Sequence, residues 1–161
     1  MAGEIVDYLE SQQLATWNRL SFFGSALVLD QLRGIVPGVR AWSTRSVTRC
    51  LAGYLETGWY GHVPESCEGG MIIVPVKQYS YGRMSLPASL LWGWPNRFLA
   101  RMRAHRTEVM LITSIDVRSR GFSRLDKLED LSRIPAGFEG AIWTDQIAVI
   151  GPTLRASRPI N

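Results

Sequence analysis

Apolar residues recur along the chain in two rhythms. Ile5, Leu9 and Leu14 among polar neighbours predict a helix over 3–15, and Leu27, Val28, Leu32 and Ile35 share one face of a helix over 26–35. Ser25 is placed to cap that second helix, and Pro37-Gly38 stops it. A third helix is predicted over 47–55, capped by Thr44 or Ser46 and ended by Gly58. A fourth follows Pro95 over 96–104, and a short one spans 125–131. Between them lie strand-length apolar runs at 17–23, 39–43, 71–76, 108–115 and 140–144.

The run Met71-Ile72-Ile73-Val74-Pro75-Val76 is apolar throughout, as in a strand covered on both faces. Residues 59–70 read as a loop and 77–93 as a long loop or irregular helix. Residues 118–123 read as a charged loop and 153–161 as a frayed tail after a domain over 1–152. Buried-type runs alternating with helices predict an α/β fold: a parallel sheet of about five strands joined by right-handed crossovers.

At 161 residues, 46% hydrophobic and 20% charged, the chain is long enough to bury one sizeable core. No apolar run reaches about 18 residues, so no membrane span is expected. The first ten residues carry three acids and no base, unlike a signal or transit peptide, so the expected location is cytoplasmic. The formal charge is +4, carried almost wholly by arginine, since Lys77 and Lys127 are the only lysines. That is too mild to point to nucleic acid, but arginine suits phosphate and carboxylate. Cys50 and Cys67 are too few for a zinc site. They could form one disulfide, but in a cytoplasmic chain two reduced and mostly buried thiols are the expected state.

Ligands of parallel α/β folds meet the C-terminal ends of strands, which singles out Ser21, Ser43, Thr44, Lys77, Thr113, Asp116, Thr144 and Asp145. Lys77 would face an anion at the sheet's mouth, and Arg118 and Arg120 are phosphate candidates in a late loop. Against these stands the plainer reading of solvated loop cations. Arg97, Arg101 and Arg103 read as a solvated helix face, and Asp126, Glu129 and Asp130 as surface. Neither His62 nor His105 has a carboxylate or cysteine at ligand spacing. Trp59, Tyr60, Tyr79, Tyr81, Trp92 and Trp94 crowd two loops that either wall a pocket or pack on helices. No GxGxxG, GxxxxGK[ST] or GxSxG motif occurs.

The ordered set Arg19-Leu20-Ser21-Phe22, Leu29-Asp30-Gln31-Leu32-Arg33 and Val36-Pro37-Gly38-Val39, with Trp94 to Phe98 and Phe138 to Asp145, resembles the glycerophosphodiester phosphodiesterases. The resemblance implies strands four to eight of a TIM barrel, a partial barrel spanning about residues 5 to 152. It implies metal-dependent hydrolysis of a glycerophosphodiester, with calcium or magnesium as cofactor. Ser21 and Phe22 carry over as substrate-pocket residues, with Lys77, Thr113 and Trp143 as further substrate candidates. The family's catalytic histidines and metal ligands belong to a first half whose motifs do not occur here. Partners would then be a small phosphodiester, a second copy of the chain or a missing N-terminal half. The alternative is a non-catalytic half-barrel that binds an anion or another subunit.

Overall fold

The computed structural model describes residues 2–11, 20–81, 83–116 and 121–157. Helix α1 (Ala2–Ser11) leads to strand β1 (Ser21–Gly24), helix α2 (Ala26–Ile35) and strand β2 (Arg40–Ser43). Helix α3 (Thr44–Thr57) is followed by two single turns of 3-10 helix, at Gly58–Tyr60 and Glu65–Cys67. Then come β3 (Met71–Tyr81), β4 (Met84–Pro87), α4 (Asn96–Ala104), β5 (Glu108–Asp116) and β6 (Gly121–Ser123). A short α5 (Leu128–Leu131), a two-residue β7 (Ala141–Ile142) and α6 (Ile147–Ser157) complete the described chain.

The strands form two sheets. β1 and β2 pair in parallel across the α2 crossover. The larger sheet runs β4-β3-β5-β6, with β7 also on β5. In it β3, β5 and β7 are parallel, whereas β4 and β6 are antiparallel to their neighbours.

This overturns the expected parallel sheet of about five strands, and with it the partial-barrel architecture. The reason lies in the segment after Val76. Lys77-Gln78-Tyr79-Ser80-Tyr81 mixes polar and aromatic residues and reads as a loop in the sequence, yet such a mix also suits a strand next to a sheet edge. β3 runs through it to Tyr81, then turns back to pair Tyr81 with Met84 and Gln78 with Pro87. The charged loop likewise holds an antiparallel strand, β6, against the end of β5. Among the described residues β1 and β2 pair with each other and not with the larger sheet. Of the tail expected over 153–161, residues 153–157 belong to α6, and 158–161 lie outside the described residues.

Within these limits the local reading of β3 stands: Met71 to Val76 are all buried. The main core joins α3 (Val47, Leu51, Tyr54) and α4 (Phe98, Met102) to Ile72, Ile73, Val74, Leu111 and Ile112 of the sheet. A second, smaller core gathers Val6, Leu29, Leu32, Val39 and Ala41 from α1, α2 and the start of β2. Among the described residues no helix is long and apolar enough to cross a membrane.

Cys50 and Cys67 are both fully buried, as expected of them, but they are joined in a disulfide. The correction follows from placement. α3 carries Cys50 to the 3-10 turn that holds Cys67, and the two Cα atoms stand 4.7 Å apart.

Candidate functional site

A cavity of about 920 Å³ runs along α3, between that helix and the end of the larger sheet. Its walls are apolar: Val47, Leu51 and Leu55 from α3, Ile73 and Ile115 from the sheet, and Phe122 from β6. One end is polar, because Gly24, Ser25 and Ala26 and then Ser43, Thr44 and Arg45 border it. These are the junctions at which β1 enters α2 and β2 enters α3.

The strands are parallel, so both helices begin at the same edge of the small sheet. Ser43 is at once the last residue of β2 and the N-cap of α3. Its Oγ accepts from Ser46 N at 3.2 Å, and Ser46 Oγ accepts from Ser43 N at 3.0 Å, closing a capping box. The predicted caps, Thr44 or Ser46, lie inside the helix instead. Ser25 precedes α2 as expected, but its side chain makes no capping bond. Neither helix carries an acid in its first turn. Two positive helix ends therefore border one cavity without a neutralising carboxylate of their own. Asp116, at the end of β5, is the acid of the lining and has a partner already.

Tyr79 forms part of the wall. Its hydroxyl is buried with no hydrogen-bond partner among the described residues, and burial pushes its pKa far above the usual phenol range.

A second cluster sits where β3 is irregular. Pro75 stands opposite Ile112 and Gln78 opposite Ser114, so Val76 and Lys77 together face Thr113. A bulge of this kind re-aims a side chain. Lys77 Nζ lies 2.6 Å from Oδ1 of Asp130, a carboxylate only 2% exposed. Thr113 Oγ1 donates to the Arg124 carbonyl at 2.8 Å and reaches Asp130 Oδ2 at 3.4 Å. Arg133 Nε lies 4.0 Å from Asp130 Oδ1.

The structure thus brings together two of the predicted residues, Lys77 and Thr113, but around an internal carboxylate rather than an open mouth. Asp130, expected at the surface, is buried. Trp143 packs against Phe23 and Phe122 at ring separations of 5.9 and 5.8 Å, with the Arg124 guanidinium 5.7 Å from its ring. Ser21 is exposed on β1, Phe22 packs on the smaller core, and neither lines the cavity. Arg118 and Arg120 lie outside the described residues. His62 is exposed, and His105 Nδ1 pairs with Glu68 Oε2 at 2.7 Å. Arg101 does not belong to a solvated face. It stacks 4.3 Å from the Trp92 ring centroid and donates to the Gly58 carbonyl at 3.0 Å. Tyr79, one of the aromatic residues read as walling a pocket or packing on helices, lines the cavity, whereas Arg45 has no place in the sequence reading of the site. An arginine in the first turn of a helix is the signal that points to it.

The predicted strand-end residues Thr144 and Asp145 serve as a clasp. Asp126 Oδ1 accepts from Asp145 N at 2.7 Å and from Thr144 Oγ1 at 2.8 Å. The backbone bond from Asp145 is the main cause holding the Asp126 carboxyl below its ordinary 3.8, helped by Thr144 and Arg124 against a desolvation penalty. A lowered folded pKa contributes stability above the unfolded value and loses it as pH falls through the folded one. The melting temperature of Asp126→Asn is therefore expected to fall less steeply than that of the parent between pH about 4 and about 2. Parallel slopes in thermal melts over that window would contradict the assignment.

The resemblance implies a divalent cation, with its ligands in the missing first half. No group of three or more His, Cys, Asp and Glu side chains among the described residues is arranged to hold a metal ion. Compared with known proteins, the chain matches no family model, no curated protein and no solved structure.

Proposed function

We propose that the chain is a binding module for a small amphipathic anion, held in the cavity along α3. The observation that carries this reading is the cavity itself, with apolar walls and one polar end made by two helix N-termini and Arg45. Its volume lies in the range of sites that enclose a small organic ligand. An apolar body would lie against Val47, Leu51, Ile73 and Ile115. A carboxylate or phosphate head would meet the backbone N–H groups at Ala26 and Thr44, with Arg45 beside them. This is the anion-binding alternative to the phosphodiesterase reading, moved from a sheet mouth to a helix-flanked pocket.

The test is calorimetric titration with decyl phosphate, decanoate and decanol, which share a body and differ in the head. The two anions are expected to bind, and decanol to bind roughly tenfold more weakly. Ala52→Trp, at an exposed lining position, is expected to abolish binding by filling the cavity. Equal affinity for decanol, or unchanged binding by Ala52→Trp, would refute the proposal. Turnover of glycerophosphocholine by this chain with calcium or magnesium would favour the hydrolase reading instead.

A further inference from the structure

We infer that the outer side of α3 and the turn after it form a docking surface for an anionic lipid bilayer. Two large aromatic residues stand in water there: Trp59 is 58% exposed and Tyr60 90%. They are held rigidly. Gly61 N donates to the Gly58 carbonyl at 3.0 Å, and Arg101 Nη1 donates to the same carbonyl. A Cβ on Gly58 would approach the Tyr54 ring to 2.8 Å, so the backbone is seated directly on the core. Thr57 Oγ1 bridges the Gly53 and His62 carbonyls across the turn. A rigid Trp–Tyr pair buries much apolar area at little entropic cost, and both side chains suit the headgroup level of a bilayer.

The exposed charges along α3 fix the kind of surface. Arg45, Arg49, Ala52 and Glu56 recur at helical spacing on the exposed side of α3, and Leu55 beside them is 38% exposed. Among the described residues neither Arg45 nor Arg49 makes an ion pair with an acid. Two unpaired arginines outweigh Glu56, the acid of this stripe, and would attract a negatively charged membrane surface. The surface is continuous with the cavity, since Arg45, Ala52 and Leu55 line both. Aromatic insertion at one end and arginine contact along the helix describe a protein that lies on a bilayer rather than one that crosses it.

The experiment is co-sedimentation of the full chain with vesicles of phosphatidylcholine alone or with phosphatidylserine added. Binding is expected to the anionic vesicles, weakened by salt. Trp59→Ser with Tyr60→Ser should weaken it roughly tenfold or more, while Tyr8→Ser, at an exposed aromatic on α1, should leave it unchanged. Arg45→Gln with Arg49→Gln should remove the preference for phosphatidylserine. Decyl phosphate binding by the Trp59/Tyr60 variant, measured as above, should stay at the parent level, which separates this surface from the cavity's occupant. No sedimentation with either vesicle, or equal sedimentation of the Trp59/Tyr60 variant, would overturn the inference. Capture of a protein partner that the same variant loses would overturn it too, assigning the surface to a protein.

Discussion

Replacing Lys77 by methionine is expected to cost about 3 kcal/mol and to lower the melting temperature by roughly 6–12 °C. The reason is an asymmetry in the Lys77–Asp130 pair. Asp130 is 2% exposed, whereas the Lys77 side chain is 32% exposed. Removing the lysine leaves a carboxylate in the interior with the Thr113 hydroxyl and, 4.0 Å away, the Arg133 guanidinium. Removing the carboxylate instead leaves an ammonium that already touches water. Asp130→Asn is therefore expected to cost about half as much as Lys77→Met, and the double variant less than the sum of the two. Urea unfolding of the four proteins measures the cycle. Additive losses, or a larger loss for Asp130→Asn, would show that the pair is not what holds α5 to the sheet.

That pair also shows what the sequence could and could not disclose. Lys77 stands out in the sequence because lysine is scarce and it follows an apolar strand, and the structure sets it beside Thr113. Its partner was hidden. Asp130 sits in a short acidic helix among Asp126, Glu129 and Lys127, where every local signal reads as surface. Only the bulge in β3, a product of strand pairing, turns Lys77 toward it. Periodicity and punctuation place α2 and α4 at their predicted bounds, 26–35 and 96–104, but α6 has no counterpart in the sequence reading. Strand direction did not follow, since a run such as Met71 to Val76 is equally buried in a mixed sheet. The cavity was not legible because its lining is drawn from separate elements, and its polar end depends on β1 and β2 pairing away from the larger sheet.

Loss of the disulfide is the other change expected to be large. Cys50 and Cys67 close a loop of 17 residues that holds the end of α3 and the turn bearing Trp59 and Tyr60. Loop-closure entropy at this length corresponds to about 3 kcal/mol, or roughly 6–12 °C in melting temperature. Cys50→Ala with Cys67→Ala should show that loss, and the parent should show it when melted with a reductant. Alanine is chosen because both sites are fully buried and a serine hydroxyl would add an unsatisfied polar group. Identical melts with and without reductant would mean that the thiols stay apart. Both sulfurs are inaccessible in the folded chain, so reduction is expected to follow opening of this region rather than to cause it.

The junction at Ser43 has a further consequence. Where strand and helix share a residue, no linker absorbs a change of length. One inserted residue would shift the Arg40–Ser43 ladder against Ser21–Gly24 by a step, or rotate α3 by about 100°, turning its apolar side away from the sheet. Tolerance to insertion should therefore drop sharply here, next to the cavity. In a scan of single-residue insertions, the β2–α3 boundary should stand out as the position where the two sheets must keep step.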